Sequence, residues 1–207
     1  MSRYTGPKMR KVRRFGEEFA LAADRSTAVK FVKNHHQQPP GMHGSTRVFK
    51  KHTGYGLQLQ EKQKARIFYH IMEKQLRRYY EAAGRQSGSA SDNLLQILES
   101  RLDNVIYRAG FANSHPQARQ FIAHQQFTVN NQRVSIPSIL VKSGDIIQFV
   151  GQQKLREIIS SLLANNNSAS WLKTDPEKLQ ITITDLPTRS EIEVPFNEQL
   201  IIEFYSR

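Results

Sequence analysis

The chain has 207 residues, 38% of them hydrophobic, and 30 lysines and arginines give it a formal net charge of +12. This length and hydrophobic content provide for one ordinary core or two small ones, and they exclude disorder throughout. The basic balance predicts an anionic partner, with nucleic acid favoured over an acidic membrane surface. The chain has no cysteine, which excludes disulfides and Cys-based metal sites and is typical of a reducing compartment.

The positive charge is concentrated in the first half of the chain. The formal charge is +13 for residues 1–91, +3 for residues 92–156 and −4 for residues 157–207. The basic surface is therefore predicted to lie mainly in the N-terminal half. No signal-peptide apolar core and no run of 18 apolar residues occurs, so we expect a chain that is neither exported by that route nor membrane-spanning.

Residues 1–52 are predicted to form a basic N-terminal arm. Apolar periodicity is poor there, and the sequence PPG occupies residues 39–41. We expect such an arm to be held by RNA contacts more than by a core of its own. Its first acidic residue is Glu17, so its start also has the composition of an organellar transit peptide, which stays open as an alternative at this point.

Residues 53–91 are predicted to form a helical domain followed by a linker. Apolar residues recur at helical spacing between Tyr55 and Gly84, and the small polar sequence GRQSGSAS at residues 84–91 is typical of a linker. Lysines and arginines fill the other helix faces. A solvated surface is the usual explanation for such charges, whereas the +9 charge of residues 1–60 favours contact with RNA.

The next segment is predicted to be one long amphipathic helix. Its apolar stripe runs from Leu94 to Ala109, and Arg101 and Arg108 lie seven residues apart on another face. This arrangement predicts that one side of the helix packs while the other meets phosphate.

A second helix is predicted to begin at Ser114. Gln117, three residues later, gives the pattern of a capping box. His115 and Arg119 are four residues apart, so we expect them to share an outward face beside the helix N-terminus, where a phosphate would bind.

Short strands, a helix and a final helix are predicted to follow. Residues 158–163 continue as a helix, and the alternating sequences KLQITITDL and EIEV predict a hairpin around the turn at residues 187–190. Asn197 is the predicted N-cap of the last helix, NEQLIIEFY.

Several of these sequences resemble a known family. ESRLDNVIYR, the ARQ of residues 118–120, His124, the VN of residues 129–130 and the GD of residues 144–145 resemble the S4 domain, an RNA-binding module. SRYTGP, PPGMHG, YGLQLQEKQKAR and NEQLIIEFYSR resemble the ribosomal protein S4 family in the same order. Together these motifs span residues 2–207.

The resemblance implies an α+β fold with an all-helical domain, formed by residues 53–91 and completed by residues 196–207. Inserted in this domain is an RNA-binding module, residues 92–195, in which helices pack on a small, mainly antiparallel sheet. It implies a structural, non-enzymatic constituent of the small ribosomal subunit that binds its ribosomal RNA at a multi-helix junction and nucleates assembly. The implied partners are the neighbouring protein S5, messenger RNA near its entry site, where the family contributes to accuracy, and the protein's own messenger. A cytoplasmic ribosome is expected ahead of an organellar one, with no membrane partner.

The predicted RNA-binding residues are basic and aromatic side chains of the arm and the helical domain, with six residues of the module added. They are Arg3, Tyr4, Lys8, Arg10, Lys11, Arg13, Arg14, His43, Arg47, Lys50, Lys51, Tyr55, Lys62, Lys64, Arg66, Arg77, Arg78, Arg101, Arg108, His115, Arg119, Asn130 and Arg133. For any single aromatic residue, such as Tyr4 or Tyr55, a core position is an equal alternative.

No metal and no cofactor is expected. Some members of the resembled family carry a Cys-based zinc site in the arm, but Met9, Val12, Ser26 and Phe31 stand here near the corresponding positions. These residue types cannot form a tetrahedral thiolate site. His35, His36 and His43 lack the regular spacing of metal ligands.

Two smaller departures concern turns. Gln125 and Asn131 stand where the resembled family usually has glycine, and asparagine tolerates a left-handed backbone better than glutamine does.

An RNA-modifying enzyme is the competing hypothesis. A pseudouridine synthase also carries an S4 domain, and the SRLD of residues 100–103 resembles the sequence around its catalytic aspartate. Asp103, however, is predicted to lie within an amphipathic helix and to pair with an arginine. Roughly 100 residues remain outside the module, near the lower end of domain size, and no phosphate loop or nucleophile motif occurs. We therefore expect no enzymatic activity.

Overall fold

A computed structural model describes residues 4, 6–33, 38–44, 53–165 and 168–207. The chain divides into two compact units. The helical unit comprises residues 1–94 and 193–207, and the sheet unit comprises residues 95–192. Among the described residues, no helix combines the length and apolarity that crossing a bilayer requires.

The helical unit is built from six helices of the described chain, and a seventh, α6, crosses the boundary between the units. Their bounds are α1 Lys8–Val12, α2 Glu17–Ala22, α3 Arg25–Lys33, α4 Gly54–Phe68, α5 Glu73–Ala83, α6 Ala90–Glu99 and α10 Glu198–Tyr205. Helix α4 begins with a capping bond, since the Thr53 hydroxyl accepts from the Gly56 amide. Between α4 and α5 the chain turns through His70, whose φ is +52°.

Helix α10 returns to pack against α4, although some 130 residues separate them in sequence. The predicted cap is confirmed, because the Asn197 side chain accepts a hydrogen bond from the Gln199 amide. Ile201 is buried, and the Phe196 ring lies edge-to-face with Phe68. Residues from the two ends of the sequence therefore share one apolar core.

The sheet unit packs helices on a five-stranded sheet with strand order β2-β1-β3-β5-β4 and antiparallel pairing throughout. The remaining bounds are α7 Leu102–Arg108, α8 His115–Ala123, β1 Phe127–Val129, β2 Gln132–Val134, β3 Ile146–Phe149, α9 Gln153–Asn165, β4 Leu172–Asp175 and β5 Gln180–Ile183. Helices α7 and α8 share one buried cluster with the sheet. The predicted α+β class, with a small antiparallel sheet, is confirmed.

The predicted long helix is interrupted, and this corrects the sequence analysis. Helix α6 ends at Glu99 and α7 begins at Leu102, with Ser100 in a turn and Arg101 extended between them. The Leu102 amide donates to the Ile139 carbonyl, and Val141 donates to Ser100, so residues 137–141 draw this stretch out of the helix. The Leu94–Ala109 stripe is buried as predicted, but on two helices.

The predicted C-terminal hairpin is also wrong in its second strand. Strand β5 pairs with β4, which precedes it, and the sequence EIEV forms no strand. Residues 189–191 form a short 3-10 helix instead, with Thr188 and Glu191 making a capping box.

Candidate nucleic-acid interface

The arm presents cations on its first helix and on the turn that follows it. Arg10 and Arg14 are exposed, while Val12 is buried and fixes which side of α1 faces inward. Arg13 is half-buried, and its Nε donates to the Gln38 carbonyl at 2.8 Å. His43 is exposed. The predicted residues Arg3, Arg47, Lys50 and Lys51, and the histidines 35 and 36, lie outside the described residues.

Four predicted residues of the arm and α4 come together around one open cleft that encloses about 70 Å³, namely Tyr4, Lys8, Lys11 and Arg66. The cleft is also lined by Gln63, Ile67, His70, Ile71 and Met72. The Lys11 ammonium lies 3.3 Å from the centroid of the Tyr4 ring, a cation–π contact. Burial and the nearby Arg66 guanidinium lower the pKa of Lys11 below its ordinary value.

Several cations of α4 are engaged within the helical unit. The Lys62 ammonium donates to the Glu73 carboxylate at 3.0 Å and lies 4.1 Å from the Phe204 ring centroid. Only 6% of Lys62 is exposed, so its burial argues against the predicted contact with RNA. Lys64 pairs with Glu61 at 2.7 Å and remains half-buried.

Other predicted residues of the helical unit are open to solvent. Arg77 and Arg78 are exposed on α5, and Arg77 lies 3.4 Å from Glu81, the partner expected four residues later. Tyr55 is 53% exposed, with its ring 5.6 Å from that of Phe204. The core alternative is therefore wrong for Tyr55, whose ring has a face available for stacking.

Glu73 is the acceptor around which α4, α5 and α10 meet. One of its oxygens accepts from Lys62 and from the Tyr205 hydroxyl, at 3.0 and 2.7 Å, and the other lies 3.2 Å from Arg66. Burial opposes its ionisation, but the bonds from Tyr205 and Lys62 and the nearby cations hold the pKa of Glu73 below its usual range. Burial and the Glu73 carboxylate raise the pKa of Tyr205.

In the sheet unit, two predicted arginines converge on one buried carboxylate. Arg101 donates through Nε and Nη2 to the two oxygens of Asp103, at 3.0 and 2.7 Å, and Arg119 donates from Nε at 2.6 Å. Burial alone raises the pKa of Asp103, but the two guanidinium groups outweigh it and lower the pKa below its ordinary value. The predicted pairing of Asp103 with an arginine is confirmed.

A second buried chain of polar groups runs beside this cluster. Arg108 binds both oxygens of Glu99, at 3.1 and 2.7 Å, and the Asn104 side-chain amide donates to the same carboxylate at 2.6 Å. The Asn104 oxygen lies 2.9 Å from His115 Nε2. Since a carbonyl oxygen only accepts, His115 carries its proton on Nε2.

The predicted phosphate corner is wrong in its geometry. His115 is 1% exposed and lies 4.3 Å from the Tyr107 ring, because it fills a gap between α7 and α8 instead of facing outward. Ser114 makes no side-chain capping bond. The Gln117 oxygen accepts from the Asn113 amide, one residue before the expected partner. The burial of Arg101, which is 2% exposed, likewise argues against direct phosphate contact.

The exposed predicted residues of the sheet unit lie on its first hairpin. Arg133 is exposed on β2, and Asn130 occupies the turn between β1 and β2. Asn130 binds the Asp145 carboxylate at 2.8 Å and accepts from the Ile146 amide at 3.0 Å, so it fastens this turn to β3. In the structure, Asn130 therefore stabilises the β1–β2 turn.

Sequence reasoning passed over several exposed cations. The structure adds Lys30 and Lys33 on α3, Lys74 on α5, and Lys142 and Lys154 in the sheet unit. Their only sequence signal is charge, which does not distinguish them from a solvated face.

Comparison with known proteins identifies the family. Residues 3–99 match the model described as the ribosomal protein S4/S9 N-terminal domain, and residues 100–147 match the S4 domain. The chain is 46% identical to the small ribosomal subunit protein uS4 of Desulfitobacterium hafniense and 47% identical to that of Mycolicibacterium smegmatis. It is 44% identical to uS4A of Symbiobacterium thermophilum, and each alignment covers the whole of both chains. The chain therefore belongs to the uS4 family of small ribosomal subunit proteins.

Proposed function

We propose that this protein is a structural, non-enzymatic constituent of the small ribosomal subunit that binds the subunit's ribosomal RNA directly. The observation that carries the proposal is the +13 formal charge of residues 1–91, together with the solvent exposure of several of its cations. Arg10, Arg14 and Arg78 are exposed and form no ion pair with any residue that the structure describes. Such cations gain most from an anionic polymer, because each phosphate contact releases condensed counterions.

Each unit, taken by itself, presents exposed side chains suited to RNA. The helical unit offers the exposed cations of α1 and α5 and the aromatic face of Tyr55, and the sheet unit offers Arg133 on its first hairpin. Binding at a multi-helix junction suits this distribution, since a junction crowds phosphates from several helices and leaves some bases unpaired. The protein acts there by neutralising phosphates and favouring one arrangement of the RNA.

The buried aspartate argues against the enzymatic alternative. Asp103 is held by two guanidinium groups and its pKa is lowered, so at neutral pH it is an ionised structural acceptor. A catalytic carboxylate needs access to substrate, and the side chain of Asp103 is 1% exposed.

Family membership supports the finer roles. We propose that the protein joins the subunit early in assembly, adjoins S5, contributes to accuracy near the messenger entry, and contacts its own messenger, all in a cytoplasmic ribosome. The contacts with ribosomal and messenger RNA share one chemistry, which is recognition of RNA phosphates and unpaired bases by exposed side chains.

Salt dependence tests the RNA-binding proposal. The wild-type protein should bind purified small-subunit ribosomal RNA with an affinity that falls steeply as salt rises. The double variant Arg10→Gln/Arg14→Gln should lower the log–log slope by about 1.4–1.8, two contacts at roughly 0.7–0.9 each. Filter binding at several salt concentrations measures the slope.

Lys173→Gln/Lys178→Gln removes the same charge from the acidic C-terminal quarter and is the matched control, since both lysines are exposed. Its slope should equal that of the wild type. Equal slopes for the two double variants would show that total charge, and not contact by α1, governs binding. Failure of the wild type to select ribosomal RNA from total RNA would contradict the proposal itself.

A further inference from the structure

The cleft beside α1 is unlike the rest of the basic surface because it combines cations with an apolar floor. Lys8, Lys11 and Arg66 line it together with Ile67, Ile71 and Met72. A phosphate bound on an open helix face needs only the cations. The apolar floor calls for a ligand that also has a flat, weakly hydrated surface.

Lys11 and Arg66 bring two positive charges to the same cleft. Burial, and after it the nearby Arg66 guanidinium, lowers the pKa of Lys11 below its ordinary value, and both cations line the cleft. Arg66 shares the Glu73 carboxylate with Lys62, and its buried Nε has no hydrogen-bond acceptor among the described residues. An anion in the cleft would relieve the repulsion and give this donor a partner.

The Tyr4 ring forms one wall of the cleft, and residues close to it in sequence hold it in place. The Tyr4 hydroxyl lies 3.5 Å from the Pro7 carbonyl, and Lys11 covers the ring. Gly6 leaves room for this ring, because a Cβ there would lie 2.6 Å from the Tyr4 oxygen. Tyr4 is 40% exposed, so part of the ring remains accessible.

Size and shape select the ligand. The cleft is open to solvent and encloses only about 70 Å³, so a ligand places part of its surface there and keeps the rest outside. A double helix is far too wide to enter it. An unpaired nucleotide has both required features, since its phosphate is an anion and its base is a planar surface that stacks or packs on apolar groups.

We propose that this cleft binds a single unpaired nucleotide of small-subunit ribosomal RNA, with its phosphate at Lys8, Lys11 and Arg66 and its base against Tyr4, Ile67 and Met72. The inference rests on the proposed function and adds to it a place in the helical unit where the protein recognises an unpaired base. The other exposed cations bind phosphates irrespective of pairing.

The test compares two RNAs and two charge-matched variants of the full chain. The RNAs are purified small-subunit ribosomal RNA and a duplex RNA of arbitrary sequence. Lys11→Gln should weaken binding to ribosomal RNA by about tenfold, the loss expected for one charge-assisted contact, and binding to the duplex by less than about threefold. Lys74→Gln, exposed on α5 outside the cleft, should weaken both by the same factor of less than about threefold.

A second variant and a crosslinking experiment exclude the explanation that Lys11→Gln binds weakly because its arm is misfolded. Tyr4→Leu keeps all charges and should reproduce the selective loss for ribosomal RNA, with an unchanged circular dichroism spectrum. Ultraviolet crosslinking of the wild-type complex should attach a nucleotide to Tyr4, identified by mass spectrometry.

The outcomes separate the two proposals. If the wild type binds duplex and ribosomal RNA equally well, the proposed function fails. If it prefers ribosomal RNA but Lys11→Gln and Lys74→Gln behave alike, only the cleft assignment fails. Inorganic phosphate that raises the melting temperature of the wild type but not of Lys11→Gln, with equal RNA affinities for the two, would make the cleft a free-anion site and overturn the RNA assignment.

Discussion

Gln125 adopts a backbone conformation that is unfavourable for a residue with a side chain. It follows α8 with φ at +55°, a left-handed conformation that costs an L-residue roughly 1–2 kcal/mol. Asn130 and Asn131, at +49° and +67°, occupy the same region in the β1–β2 turn, where asparagine is tolerated well. The strain noted from the sequence at Gln125 is thus present in the structure, whereas the Asn-Asn turn carries less of it.

Replacing this glutamine tests the strain. Gln125→Gly should raise the free energy of unfolding by up to about 1 kcal/mol, because relief of the left-handed backbone exceeds the added entropy of the unfolded glycine. Gln120→Gly makes the same chemical change inside α8, and it should lower the free energy by about 1 kcal/mol. Urea unfolding monitored at the single tryptophan, Trp171, measures both. Changes of the same sign in both variants would contradict the assignment.

At the scale of elements, α10 is attached to the helical unit by polar contacts as well as by its apolar face. The Gln58 amide donates to Glu203, and the Glu61 carboxylate accepts from the Asn197 amide, at 2.8 and 2.9 Å. The Tyr205 hydroxyl donates to Glu73. These bonds set the position of α10 along α4, which apolar packing alone leaves free to slide.

Removal of one hydroxyl tests this attachment. Tyr205→Phe should destabilise the helical unit by about 1–2 kcal/mol, since it withdraws a donor from a charged, partly buried carboxylate. The loss should appear as faster hydrogen exchange of the α10 amides. Tyr80→Phe is the matched control, because its ring stacks on Tyr205 at 5.0 Å. Equal exchange rates in the two variants would exclude a role for the Glu73 bond.

Elements whose signals are local were predictable, and those decided by distant partners were not. The α10 cap follows from an asparagine before an apolar run. The break between α6 and α7 depends on pairing with residues 137–141, about 40 residues further on. Charge counts likewise indicated RNA, but they did not reveal that Lys62, Arg101 and His115 are buried. Only the folded chain shows which carboxylate each cation meets.

At the scale of the whole molecule, the acid sensitivity of both units has the same origin. Glu73 in the helical unit and Asp103 in the sheet unit both have lowered pKa values. A carboxyl group with a lowered folded-state pKa contributes stability that is complete above its unfolded pKa, about 4, and is lost as pH falls through the folded value. Stability should therefore fall below about pH 4 in each unit.

Asp103→Asn separates the contribution of the sheet unit. At neutral pH this variant should be less stable than the wild type by about 3–5 kcal/mol, because it leaves buried guanidinium groups without their anion. The difference should shrink as pH falls through the lowered pKa, since the wild-type carboxyl then also becomes neutral. Urea unfolding followed at Trp171 over a pH series reports this unit. Glu157 is exposed on α9, so the free energy of unfolding of Glu157→Gln should follow that of the wild type at every pH. A stability difference between Asp103→Asn and the wild type that does not change with pH would contradict the role of the Asp103 carboxylate.

The return of α10 to α4 has a consequence for how the chain acquires its structure during synthesis. Residues 54–83 leave the exit tunnel long before residues 197–205, which complete their core, have been made. At about 5–20 residues per second, the hundred residues between α6 and α10 impose a delay of roughly 5–20 s. The sheet unit, whose residues are contiguous, completes its fold first. The helical unit, which holds the most basic part of the chain, therefore folds last. A premature stop codon before α10 destabilises this unit, although most of its residues lie at the other end of the sequence.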